Sequence, residues 1–281
     1  MRYPIGFSTL GCPTWPWATI LEQASTLGYA GIELRGIEGE MDLTKRPEFS
    51  ARRLADTRKD LAAHNLVVTD LGASARLHER AASVRAQQLD EARRFIDLAH
   101  NLGARYIRVF PNGYFPDEPH ETTLHRIGTT LAELGQFARG SGVGVLMESH
   151  GDLTDSASLV AVMRIAEQAS GTGLVWDTHH TVVSGGETPE TTWAAIGKWV
   201  HHTHIKDSVA AGADRHYVLL GQGTVNVKAI VQTLVKGGYQ GVFNLEWEKM
   251  WHPDIDEPEV AFPQYARVMT GWLIEAGVKP A

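Results

Sequence analysis

The chain has 281 residues, 43% of them hydrophobic and 21% charged, the composition of a globular protein that can bury a large core. Its net charge is -7 and its Lys and Arg residues do not cluster, which excludes the basic surface that binding to nucleic-acid phosphates requires. Cys12 is the sole cysteine, so an intrachain disulfide is excluded; with no apolar stretch of signal-peptide or membrane-span length, a cytoplasmic protein without a membrane partner is expected.

Along the chain, short apolar runs rich in β-branched residues alternate with segments of helical period, the pattern of βα units around a parallel sheet. The first strand is expected at Ile5 to Thr9 with a helix near 17 to 27, the second at Gly31 to Arg35 with a helix near 49 to 64. The third follows at Leu66 to Gly72 with a helix near 83 to 102, and the fourth at Arg105 to Phe110 with a helix near 121 to 140. Gly144 to Ser149 precedes a helix near 156 to 169, and Gly173 to Thr178 precedes one near 189 to 198. Val200 to Asp207 is the seventh strand, before a helix near 226 to 236, and Gly241 to Trp247 is the eighth, before a helix near 260 to 276. Gly28-Tyr29-Ala30-Gly31, Gly238-Tyr239-Gln240-Gly241 and Leu102-Gly103 read as helix stops in which glycine takes the left-handed conformation. Eight units without an intervening linker, in a length near the roughly 250 residues of an α/β barrel, predict a single (β/α)8 TIM barrel, one domain over 1–281.

A buried parallel strand should be nearly all apolar, so a carboxylate or imidazole at its C-terminal end needs a reason. Four successive strands carry one: Glu148, Asp177, His204 and Glu246. The steps from Glu148 to Asp177 and from Asp177 to His204 are 29 and 27 residues, each close to one βα unit, which sets them at equivalent heights. The step to Glu246 is 42 residues, the surplus lying in a Gly-containing loop from Ser208 to Thr224. Strand ends at the C-terminal face build the active sites of this fold, so the four converge on one mouth. Three carboxylates packed together repel unless a cation sits among them, and mixed oxygen and nitrogen donors suit one divalent ion: Mn, Mg, Co or Zn.

Other polar and aromatic residues fall near the same mouth. His150 shares the strand side of Glu148 and either faces the mouth or caps the following helix; His180 follows Asp177 by three and is either a substrate contact or a solvated loop histidine. Lys206 either pairs with Asp207 or reaches a substrate oxygen, and Glu33 with Arg35 either lines the mouth or forms an ion pair. Trp15, Trp17, Trp176, Trp247 and Trp251 fall on or beside βα loops, where they pack in the core or offer ring faces to a sugar. Gly221-Gln222-Gly223 lacks the rest of a dinucleotide fingerprint; no phosphate loop is present, and neither a nucleophile elbow nor a base partner for Cys12 can be found.

These residues resemble the sugar phosphate isomerase/epimerase group of the xylose isomerase-like barrel superfamily. The resemblance runs from Phe7-Ser8-Thr9-Leu10-Gly11-Cys12 through Gly31-Ile32-Glu33-Leu34-Arg35 and Val175-Trp176-Asp177-Thr178-His179-His180 to His204-Ile205-Lys206-Asp207, Gly221-Gln222-Gly223 and Glu246. It implies that Glu148, Asp177, His204 and Glu246 hold the metal and that His180 contacts substrate. Ketose 3-epimerases of this group carry an arginine six residues after the seventh-strand histidine, where this chain has Ala210; its nearest arginine is Arg215. The expected chemistry is proton abstraction next to a carbonyl of a sugar, ketose or sugar-like polyol ketone, through a cis-enediolate that a Lewis acid stabilises. Glu148 and Glu246 are the expected acid/base pair; His180, His150, Lys206, Glu33 and Trp15 are the expected substrate contacts. A dehydratase of the inosose type uses the same enediolate and is the alternative. An endonuclease IV-like nuclease would need more ligands and a basic face, and a non-catalytic sugar-binding barrel would not need the four donors. Homo-oligomers are common among barrels, and the apolar tail near Trp272 and Ile274 is either interface or core.

Overall fold

The computed structural model describes residues 1–212 and 214–280. It contains a closed barrel of eight strands in the order β1-β10-β7-β6-β5-β4-β3-β2. The barrel strands are β1 (Ile5–Ser8), β2 (Gly31–Leu34), β3 (Val67–Arg76), β4 (Tyr106–Phe110), β5 (Gly144–Glu148), β6 (Thr172–Asp177), β7 (Val200–Ile205) and β10 (Phe243–Leu245). A separate antiparallel hairpin pairs β8 (Asp207–Ala211) with β9 (Asp214–Val218). The helices are α1 (Trp17–Thr26), α2 (Leu54–Ala63), α3 (Ala82–Leu102), α4 (His120–Phe137), α5 (Ser156–Ala166), α6 (Thr178–Val183), α7 (Pro189–Ile196), α8 (Val227–Lys236) and α9 (Pro258–Glu275). Among the described residues no helix is long and apolar enough to cross a membrane.

The expected elements all form, with shifted ends. The seventh strand stops at Ile205 and Asp207 starts the hairpin, so the stretch from Ser208 to Thr224 is not the plain loop expected. The eighth strand is shortened to three residues, Phe243–Leu245, although the Glu246 amide still donates to the Ile205 carbonyl of β7 at 3.2 Å. His180, in one of its two readings a solvated loop histidine, sits with His179 in the short helix α6, which Asp177 caps by accepting from the His180 amide. The three predicted glycine stops hold: Gly28, Gly103 and Gly238 have φ of 79°, 79° and 81°, where only glycine is unstrained.

By contact density the chain forms two compact units, Met1–Thr69 with Thr203–Ala281, and Asp70–His202. In the first, β1 pairs in parallel with β2 and β10, and β10 with β7. Its core is aromatic: Phe7 stacks on Phe262 with centroids 4.2 Å apart, and the Tyr29 and Tyr265 hydroxyls donate to the carbonyls of Phe262 and Phe243. In α8 the apolar face of Val227, Ile230, Val231 and Leu234, spaced at three and four residues, is buried. In the second unit β4 pairs with β3 and β5, and β5 with β6. There α4 and α5 approach so closely that a Cβ on Gly128 would lie 2.8 Å from Ile165 and 2.9 Å from the Val162 carbonyl.

Candidate metal centre

In the first unit the register sets Asn244 of β10 beside both Gly6 of β1 and His204 of β7. His204 is wholly buried and held on both sides: Nε2 lies 2.7 Å from Glu33 Oε2 and Nδ1 lies 3.2 Å from Glu246 Oε1. Asn244 donates to the same Glu33 oxygen at 3.0 Å. Lys206, also buried, donates to Glu246 Oε2 at 2.5 Å and to Glu248 Oε1 at 2.6 Å. Burial alone would push the Glu246 carboxyl up, but the neighbouring His204 and Lys206 outweigh it and hold the group well below the usual carboxylate range. Tyr217, on the hairpin, places its ring centroid 5.5 Å from the Lys206 ammonium.

Lys206 therefore does not pair with Asp207, as one reading of the sequence had it. Asp207 instead accepts from the backbone amides of Ser208, Gly221, Gly223 and Val225 at 2.8 to 3.3 Å. A Cβ on Gly223 would fall 1.9 Å from the Asp207 carboxylate, so the Gly221-Gln222-Gly223 turn is shaped around this acceptor. Arg215 donates to Ser208 and Thr224, closing the base of the same hairpin.

In the second unit Glu148 ends β5 and Asp177 ends β6, both buried. Arg108, from the middle of β4 and equally buried, places Nε 3.1 Å from Glu148 Oε2 and donates to the Ala73 carbonyl at 2.8 Å. Its guanidinium lies 3.9 Å over the Phe110 ring. Ser149 Oγ accepts from the Asp177 amide at 2.9 Å, fixing the end of β6. His180 Nδ1 lies 3.0 Å from the Ser149 carbonyl, so that nitrogen carries the proton and Nε2 is the accepting face. His150 packs on His180 and Phe110, with centroids 5.1 and 4.6 Å away. It does not cap the next helix; Asp155 does. Asp177, His179 and His180 present ligand atoms within 4.8 Å of one another.

Each unit thus carries a buried cluster of carboxylate and imidazole donors with the mixed oxygen and nitrogen chemistry that holds Mn, Mg, Co or Zn. The aromatic expectation fares differently. Trp15 is 7% exposed, donates to Glu259 and packs edge-on against Phe262, so its ring belongs to the core. Trp17, Trp176 and Trp247 are buried too, and Trp251 alone of the five is open, at 52%. The sequence reading passed over Arg108, Asn244, Tyr217 and Glu248. A basic residue inside the apolar run Tyr106-Ile107-Arg108-Val109-Phe110 was the visible signal for the first, and Glu248, two residues past Glu246, shares its strand side.

Comparison with known proteins agrees with this architecture. L-ribulose-5-phosphate 3-epimerase UlaE of Escherichia coli is 25% identical over 290 residues, covering 98% of each chain. The structure of the probable 3-DHS dehydratase AsbF from Bacillus anthracis superimposes with a TM-score of 0.77 at 17% identity, over 96% of this chain and 99% of that one. The IOLI protein, solved with a zinc atom, gives 0.76 at 18% identity over 98% of both. The family profile described as xylose isomerase-like TIM barrel matches residues 21–270, and the chain belongs to that family.

Proposed function

We propose that this protein is a divalent-metal-dependent isomerase or epimerase of a sugar, ketose or sugar-like polyol ketone, with Glu148, Asp177, His204 and Glu246 as the metal donors. The observation that carries the reading is that the two strand-end glutamates are each backed by a buried cation, Glu148 by Arg108 and Glu246 by Lys206. Such backing keeps a buried carboxylate charged, which is the state that both ligation and proton abstraction need. A bound divalent ion would supply Lewis acidity toward the substrate carbonyl and an adjacent hydroxyl. Glu246, held ionised by His204 and Lys206, takes the proton from the carbon next to the carbonyl. Glu148, in the same donor set, passes on a proton that it takes up from water, to the opposite face in an epimerase or to the adjacent carbon in an isomerase, and Glu246 releases its proton to water to reset the pair. His180 offers Nε2 to a substrate hydroxyl, with His150 packed behind it. The epimerase relative supports the sugar substrate.

The single buried Cys12 supports a reducing, cytoplasmic setting, and the closed barrel supports one working domain over residues 1–281. The test is exchange of the substrate α-proton in deuterated water across a ketose panel with Mn supplied. Glu246→Gln should abolish exchange while tightly bound metal stays measurable. Full exchange and turnover in that variant would sink the two-glutamate scheme, and an ultraviolet-absorbing enone product would move the assignment to dehydration.

A further inference from the structure

We infer that Glu33 is a positioning residue for His204, fixing the ring proton on Nε2 so that Nδ1 is the lone pair offered to the divalent ion. The inference rests on the metal reading above and concerns a residue that the sequence alone set among the substrate contacts. A carboxylate only accepts, so the 2.7 Å contact between Glu33 Oε2 and His204 Nε2 requires the hydrogen on that nitrogen. In the metal-free protein Nδ1 faces the Glu246 carboxylate at 3.2 Å and shares a proton with it; a divalent ion would displace that proton and take the Nδ1 lone pair while Glu33 keeps the hydrogen on Nε2. Asn244 locks the carboxylate by donating to the same oxygen at 3.0 Å. All three side chains are buried, which keeps water from competing for either bond.

The backbone makes room for this arrangement. Glu33 stands on β2 and His204 on β7, and the strand order places β1 and β10 between them. At the level of Asn244 the residue on β1 is Gly6, where a Cβ would lie 2.8 Å from Asn244 Oδ1 and 2.8 Å from Val242. A side chain at Gly6 would displace the brace. Glycine at this point of β1 is what lets a glutamate reach past two strands to a histidine.

The experiment uses full-length protein labelled with 15N-histidine, wild type and Glu33→Gln, with metal affinity measured by competition against a chromophoric chelator for Zn and Mn. The expected wild-type result is tight binding with the His204 proton on Nε2, in the zinc-loaded and the chelator-treated protein. Glu33→Gln should bind metal about 10- to 100-fold more weakly, the loss typical when the partner of a ligating histidine is removed, and should lose the fixed ring proton. Asn244→Ala, which keeps the carboxylate and removes its brace, should move both readouts the same way by less, and decides the matter if Glu33→Gln does not fold. Unchanged affinity in both variants, or a wild-type ring protonated on Nδ1 alone, overturns the inference. Absence of metal binding by wild type overturns the metal reading instead, and the ring-proton measurement on chelator-treated protein still decides whether Glu33 holds His204.

Discussion

Arg108→Met isolates the buried pair that backs Glu148. The guanidinium and the carboxylate are 2% and 1% exposed and 3.1 Å apart, so removing the cation takes a positive charge from beside a buried carboxylate. Breaking a buried pair from one side costs about 3–5 kcal/mol, and the lost bond to the Ala73 carbonyl adds about 1 kcal/mol more. In a chain of this size that is a fall in melting temperature on the order of 6 to 15 °C. The measurement is thermal and urea unfolding in the presence of chelator, so that no metal contributes. Glu148→Gln should be milder, since it leaves Arg108 its Ala73 contact. The double variant should recover on the order of 2–3 kcal/mol relative to the sum of the single changes, because with both charges gone neither is stranded. Strictly additive losses, or a fall below about 1 kcal/mol for Arg108→Met, would refute the view that Arg108 exists to compensate Glu148.

Other expectations follow from the same geometry. Asp207→Ala removes the acceptor of four backbone amides and should cost about 2–4 kcal/mol, with new protease cleavage between 208 and 225 as the local readout. Lys206→Met should change the acid limb of stability. The Glu246 carboxyl is depressed in the folded state, so its contribution is present above the unfolded value and lost as pH falls through the folded one. With Lys206 gone the depression shrinks, so the contribution at neutral pH should be smaller and its loss on acidification complete at higher pH, read by melting temperature from pH 7 downward. Metal removal should abolish activity without unfolding the protein, and Mn restored at 100 times its dissociation constant should return about 2.7 kcal/mol of stability; no shift in melting temperature on adding Mn would count against the proposed site.

The barrel was legible because βα alternation and glycine stops are local signals, and the donor residues because a charge closing a buried strand contradicts its surroundings. Parity along strands carried further than was used. Lys206 lies two residues past His204 and Glu248 two past Glu246, so both follow the inward pair, and Lys206 joins Glu246 and Glu248 in one contact. The hairpin hid behind its glycine, although Ser208 to Ala211 and Arg215 to Val218 flank a turn starting at Gly212. Helix α6 hid because Asp177 was read only as a ligand, while its carboxylate also receives the His180 amide and starts a helix. The packing of Trp15 and the partner of Arg108 were beyond reach, since each depends on a side chain far along the chain, Glu259 and Glu148.

In the first unit Lys206 meets Glu246 and Glu248, and in the second Arg108 meets Glu148. Arg108 and Lys206 each approach one of the two glutamates; Asp177 accepts from the His180 amide, and Glu33 contacts His204 and accepts from Asn244. The permanent cations therefore stand beside the residues assigned to move protons.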